Sequence, residues 1–458
     1  MFVFQHIMLV DKNKQSFTRW VRPNTKETSI MLRVHNRSFK LERTPAKISS
    51  NGGLVLVDKM ADALGVSPSI EDKLGHLKRR NRGYRISEKV MDLVRLYVSG
   101  GDAISDIRQL RFDEVLKGYL GRDSLMACST AVEFLAQFHQ AEVDALSRVA
   151  GNVARDTLHL NKNKTATLDV DATFIEAMKL AAMMSYHGER GYYPMLGFVA
   201  ETKGLLLAEY RDGNVSPATD APGFLRRLVS RLPETVEKIR LRSDSAWFNH
   251  EVMDWSDDRG IEFAITAVKN SHTRQLIKRI PEDQWEVFDD ATDEEIADTV
   301  YSFEHGDRAY RLVVIREPMR QLNLLEGIYS YRVIITNMSW EKRRLVKWHR
   351  ERATSENWIK ELKGGFSLKK LPSGRFHSNS AFLQVISLTY NLVEALKVLG
   401  LPDEYRNKTV KSLRYRLFNI PAMWVKHARQ WVLKLAVDKE LLDLVRTVLS
   451  QPLKLCRT

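Results

Sequence analysis

The sequence predicts an α/β protein: a mixed sheet with helices in the middle of the chain, a β-rich insertion late in it, and mostly helical regions at both ends. Three observations predict this. Strand-like runs concentrate between residues 165 and 268 and again near 310–335. Short helical units with glycine stops fill the stretch from Gly53 to about Val149. Beyond residue 376, Phe382, Val385, Leu388, Leu392 and Leu396 recur at helical spacing and read as a core stripe.

The bulk properties narrow the class. With 458 residues, 44% of them apolar and 28% charged, the chain can bury the cores of two or three domains. A net charge of +14 favours a polyanionic partner, nucleic acid ahead of an acidic membrane surface. Cys128 and Cys456 are the two cysteines, which excludes a disulfide framework and a Cys-based zinc site. The apolar opening, Phe2 to Val10, lacks a basic leader and a cleavage motif and reads as a strand. No unbroken 18-residue apolar run is present, so no membrane span and no membrane partner are expected. The expected location is a reducing cytoplasm.

Element by element, the first 50 residues are basic and irregular, with a strand-like piece at Ile30–Val34. Asp58–Gly65, Ile86–Tyr97 (stopped by Gly100 and Gly101) and a segment through Phe134, Leu135 and Phe138 read as helices. Between the first two lies the basic run Lys78, Arg79, Arg80, Arg82 and Arg85, which suits a DNA-binding module of helix-turn-helix type, although most charge runs are solvated faces. Thr165–Phe174 alternates polar and apolar residues, placing Asp169 and Asp171 on one side of a strand. Strands follow at Pro194–Ala200 and Leu205–Tyr210, then a helix opened by Pro222. Lys238–Phe248 contains a strand ending at Asp244, and Asn249 caps the next helix. Phe263–Val268 is the last strand of the set. Three strands, helix, strand, helix, strand is the order of a ribonuclease-H-like fold. Residues 270 to 338 look like inserted β structure, with strands at Tyr310–Ile315 and Tyr331–Ile335.

The segment His349–Lys363 holds neither Pro nor Gly and can run as one helix. Arg352, Glu356 and Lys363 then share a face, with Lys360 beside them. A solvated helix with ion pairs four residues apart is the plain reading of this segment alone. An acid ringed by cations also suits a site that handles phosphate and metal together. Asp244 and the Asp169/Asp171 pair, at strand ends where α/β folds place chemistry, complete a less ordinary set.

With these residues in view the chain resembles the transposases of bacterial insertion sequences, in the DDE class with a ribonuclease-H-like catalytic core. The likeness is to the branch with a Tyr-x2-Arg-x3-Glu-x6-Lys signature, which here reads His349, Arg352, Glu356, Lys363 with every spacing kept. It extends through Gly100–Asp106, Leu168–Thr173, Gly191–Leu196, Gly213–Val215, Arg242–Ser245 and Ala353–Asn357, roughly residues 50 to 430. His349 departs from the signature Tyr, and its charge would depend on pH. Asp171 rather than Asp169 is taken as the first acid because it precedes x-Thr, as in the family.

The resemblance implies five regions: 1–160, mostly helical and DNA-binding; 161–269, the first part of the catalytic core; 270–338, the β-rich insertion; 339–375, the closing part of the core; and 376–458, helical. It implies a DNA transposase that binds the ends of a transposable element and performs DNA recombination by cleavage and strand transfer. Asp171, Asp244 and Glu356 would hold two Mg²⁺ ions (or Mn²⁺ as a substitute) about 4 Å apart. His349, Arg352, Lys360 and Lys363, with Lys78, Arg79 and Arg80, would contact DNA. The implied partners are double-stranded DNA, as terminal inverted repeats and target, and a second copy in a paired-end homodimer on the bacterial nucleoid. Trp247 or Trp358 would be available to stack on a flipped base, though an isolated Trp is more often core. The alternative is a transposase-derived DNA-binding protein without catalysis; an unrelated Mg²⁺-dependent nuclease accounts for the acids but not for the signature.

Overall fold

The computed structural model describes residues 30–34, 37–42, 44–179, 181–185, 188–289, 292–304, 307–323 and 327–451. The strand expected at Phe2–Val10 lies outside them. Contacts divide the chain into Met1–Ala46 and Lys47–Thr458. In the first unit, β1 (Ile30–Val34) pairs antiparallel with β2 (Arg37–Leu41).

The second unit opens with β3 (Ile48–Ser49), α1 (Leu54–Ala63), α2 (Val66–Leu74) and α3 (Ile86–Ser99). Gly65 at φ 63° and Gly100 at φ 105° end α1 and α3 in the left-handed conformation, as the glycine stops imply. Three short helices follow, α4 (Ile107–Arg111), α5 (Glu114–Leu120) and α6 (Cys128–Leu135), and then the long α7 (Gln140–Leu160). The length of α7 was not evident in sequence, because Gly151 interrupts its periodicity. A side chain at Gly151 would run into the Leu206 carbonyl, so the glycine lets this helix lie close on the sheet.

Among the described residues that sheet has nine strands. β4 (Thr165–Ala172) is followed by a small sheet of β5 (Ile175–Glu176), β6 (Met183–Met184) and β7 (Arg190–Tyr192). Next come β8 (Met195–Val199), β9 (Gly204–Glu209), α8 (Ala221–Val229), β10 (Lys238–Ser243), α9 (His250–Asp257) and β11 (Glu262–Thr266). β4, β8 and β9 form an antiparallel meander, while β10 and β11 run parallel to β4 on its other side. Read across, these five strands lie in the order β9, β8, β4, β10, β11 of a ribonuclease-H-like fold. After α10 (Ser271–Lys278), β12 (Glu286–Asp289), β13 (Glu294–Ser302), β14 (Ala309–Asn323) and β15 (Gly327–Thr336) extend the same sheet, because β15 pairs antiparallel with β11. The β-rich insertion is therefore continuous with the core sheet.

The chain then runs through α11 (Lys342–Arg350), a 3-10 turn at Glu351–Thr354, α12 (Ser355–Lys360) and a π turn at Glu361–Gly365. The single helix expected at His349–Lys363 is thus helical throughout but changes winding three times. α13 (Phe376–Ala395) carries the apolar stripe, and Phe382, Val385, Leu388, Leu392 and Leu396 are all fully buried. Phe376–Gly400 is long and apolar enough to cross a membrane, with mean hydropathy 1.3, yet 89% of the window is buried inside the protein. It is a core helix: α13 packs on α7, α3 and α1, so the two helical ends of Lys47–Thr458 share one core. The boundaries at 160, 269, 338 and 375 all fall inside this one compact unit.

The chain closes with α14 (Val410–Leu413), β16 (Ala422–His427), β17 (Gln430–Leu435) and α15 (Lys439–Ser450). The hairpin corrects the expectation of an all-helical end. Trp424, Val425, Trp431 and Val432 are strand formers, but the link between the strands lacks the glycine or asparagine that advertises a hairpin.

The Gly191–Leu196 motif has a steric basis. A Cβ at Gly191 would collide with the Ile175 carbonyl and the Phe174 ring. Gly191→Ala should therefore cost about 1–3 kcal/mol through overpacking. A denaturation midpoint equal to wild type would refute that reading.

Candidate active site

The site is built on two neighbouring parallel strands. Their register sets Arg242 opposite Asp169 and Ser243 opposite Val170, so one further residue brings Asp244 beside Asp171 at the carboxyl ends. Side chains two apart on a strand share a face, and Asp169 and Asp171 do, but their surroundings differ. Asp169 lies inside the sheet, fully buried, and takes a two-pronged contact from Arg242: Nε to Oδ1 and Nη2 to Oδ2, both 2.7 Å. Burial raises the Asp169 carboxyl to about 6, and the hydrogen bonds and charge of the Arg242 guanidinium oppose the rise. Asp169 is thus already satisfied.

Asp171, one step nearer the strand end, is not. Its Oδ1 accepts the Ala172 amide at 2.9 Å and its Oδ2 lies 3.5 Å from Arg352 Nη1. Desolvation, then the charge of Asp244, push its carboxyl up to about 6; Arg352 pulls it down and Glu356 adds to the rise. An acid raised by two others at a strand end resembles sites where function, not stability, sets the composition. Asp244 caps a 3-10 turn at Ser245–Trp247, accepting the Ala246 amide at 3.0 Å. Glu356 sits in the first turn of α12 with its side chain 56% exposed and Lys360 Nζ 3.9 Å away.

The helical segment is clamped to these strands by cations. Arg242 Nη1 donates to the Trp348 carbonyl at 2.8 Å and to Glu351 Oε2 at 3.2 Å, and its guanidinium lies over the Trp348 ring. Lys363 Nζ donates to Thr173 Oγ1 at 3.1 Å and to the Phe174 carbonyl at 2.8 Å. Arg352 and Lys363 therefore face the end of β4 together, as their spacing implies.

His349 is placed differently from expectation. It is buried, with Nε2 3.4 Å from Thr266 Oγ1. Burial, together with Arg352, lowers its pKa to about 4. A buried neutral imidazole does not offer the surface phosphate contact expected of it; its contacts make it a packing residue behind the acids. A folded-state pKa below the unfolded value means the unfolded chain binds the proton first. Stability is then fully present above about pH 6.5 and falls as pH drops toward 4. His349→Gln should flatten that part of the stability–pH curve in urea titrations; an unchanged curve would contradict the burial argument.

Trp247 and Trp358 are both buried, Trp247 edge-on to Phe224 and Trp358 against Phe198, so neither is free to stack on a base. Lys78, half-buried, and Arg79 and Arg80, exposed, lie in the loop before α3, and no hydrogen bond or ion pair among the described residues joins them to the acids. The residue that sequence reading missed is Arg242. The parallel register sets its charge opposite that of Asp169, a pairing that shows only once the two strands are aligned.

Among the described residues no three His, Cys, Asp or Glu side chains are gathered closely enough to hold a metal ion. The donor chemistry still fits a hard divalent cation. Asp171, Asp244 and Glu356 supply oxygen ligands only, and Asp171 carries a charge that its surroundings oppose.

The family described as transposase DDE domain, group 1, matches residues 32–455. No curated protein matches. Among solved structures, a cryo-EM structure of the piggyBac transposase synaptic complex with hairpin DNA is similar at 10% identity and a TM-score of 0.42, over 80% of this chain and 79% of that one. The family match spans nearly the whole chain, the three acids included: this chain belongs to the transposase DDE domain family, a family that generally uses divalent metal ions.

Proposed function

We propose that the protein is a DNA transposase that binds the ends of an insertion sequence and catalyses metal-dependent strand cleavage and strand transfer. Asp171, Asp244 and Glu356 are the acids that would hold two magnesium ions, or manganese in their place. The observation that supports this most is the raised Asp171 carboxyl, flanked by Asp244 at the next strand end and by Glu356 on the helix that Arg242 and Lys363 tie down. Bound there, the metal would supply Lewis acidity to the attacking hydroxyl and the leaving oxygen of a DNA phosphodiester.

The chain's own side chains set the geometry. Arg242 fixes the carbonyl end of α11, from which Arg352 and Glu356 follow within two turns. Arg352 and Lys363 place positive charge at the mouth of the site, where a phosphodiester would dock. Exposed Lys360 adds to that field. Duplex DNA, as element end and as target, and a second copy pairing two ends are the partners this reading calls for.

The test is incubation of the protein with its element's end DNA in Mg²⁺, Mn²⁺ or EDTA. Metal-dependent nicking followed by strand joining is the expected result. The spread of the acids favours a second reading, a DNA-binding descendant without catalysis. Tight end binding with no cleavage under any metal would establish it.

A further inference from the structure

From Arg406 to Val437 the sequence contains eight lysines and arginines and no aspartate or glutamate. This acid-free stretch ends in the β16–β17 hairpin, which the catalytic site does not use. The root of the hairpin is fixed. β16 pairs with β3 at Ala422 and Met423, the Trp424 amide donates to the Lys47 carbonyl at 3.1 Å, and the Trp424 indole packs so closely on Gly118 that a Cβ there would collide with it. Its outer end is free: Lys426 to Trp431 are all exposed.

The outer end has the composition of a nucleic-acid contact. Trp424 and Trp431 stack at 10° and 5.5 Å, with Lys426 Nζ 5.7 Å from the Trp431 ring centre and Trp431 itself 54% exposed. The alternation of the strands puts Lys426 and Trp431 on one face and His427 and Lys434 on the other, with Arg429 at the tip. The tip is a two-residue link in which Ala428 (φ 46°) and Arg429 (φ 65°) both take a left-handed conformation. Glycine and asparagine adopt it easily, whereas a Cβ makes it sterically costly, and such strain concentrates where a side chain must be presented.

We propose that the β16–β17 hairpin is a duplex-DNA contact surface, gripping the phosphates on both sides of the ribbon through Lys426, Arg429 and Lys434. A two-stranded ribbon fits the major groove, and cations on both faces and at the tip then meet phosphate on either wall. The choice of DNA as the polyanion rests on the proposed function; the surface itself does not.

The experiment measures binding of the full chain to a labelled duplex of about 30 bp and arbitrary sequence, over a salt series, with single-stranded DNA and phosphatidylserine vesicles as comparison arms. Neutralising Lys426, Arg429 and Lys434 together with glutamine should flatten the slope of log K against log salt by about 2–3 and weaken binding on the order of tenfold or more. Trp431→Ala should weaken binding without changing that slope. Lys164→Gln, which removes an exposed cation elsewhere, should change neither, and unchanged circular dichroism would show that the triple variant is folded. An unaltered slope in the triple variant overturns the proposal, as does tighter binding to single strands or vesicles than to duplex. Metal-dependent cleavage is scored separately. Intact cleavage with an unaltered slope removes the hairpin's role alone; a flattened slope with no cleavage in wild type removes the catalytic reading alone.

Discussion

Asp171→Asn, Asp244→Asn and Glu356→Gln should each lower metal-dependent DNA cleavage on the order of 10³-fold or more, because groups that act as a unit fail together. The amides keep shape and remove the charge that a hard cation needs. Asp169→Asn should behave otherwise. Asp169 is consumed by Arg242, so its loss leaves a buried guanidinium half-paired and lowers stability, while the folded fraction still cleaves. Melting temperature separates the two aspartates further. Asp171→Asn removes a desolvated charge pressed by Asp244 and should leave the melting temperature equal or higher. If Asp169→Asn were fully folded and inactive while Asp171→Asn still cleaved, the assignment of the first acid would be reversed.

Arg242→Met should destabilise the fold by about 3–5 kcal/mol, the usual result of stripping one partner from a buried ion pair. It abandons Asp169 inside the sheet and releases the Trp348 carbonyl and Glu351. The double variant Asp169→Leu, Arg242→Met should recover most of the stability, since a buried pair is often replaceable by apolar residues of similar size. Cleavage should not recover with it, because α11 has lost its tether. A double variant that regained both would show that the pair serves stability and not the placing of Glu356. Denaturant titration reads the first quantity and the single-turnover rate at saturating DNA reads the second.

The core strands were legible because their alternation and their acids are local signals: Thr165–Phe174 contains β4, and Asn249 caps α9 as read, its Oδ1 accepting the Glu251 amide at 2.8 Å. The shared face of Arg352 and Lys363 was legible for the same reason, since helical spacing survives small changes of winding. What escaped was non-local. Whether Asp169 or Asp171 is free depends on Arg242, 73 residues further on, which no periodicity reveals. The burial of His349 depends on strands drawn in from either side. The C-terminal hairpin escaped because its turn uses Ala428 and Arg429 where a glycine would have announced it.

The sharing of one core by α7 and α13 sets a timetable for synthesis. Some 215 residues separate Leu160 from Phe376, so the ribosome, adding about 5–20 residues per second, delivers the second helix roughly 10–40 s after the first. Until then the faces of α7, α3 and α1 that pack on α13 stay uncovered. A nascent chain cut short before residue 376 would thus present exposed apolar surface to chaperones and proteases.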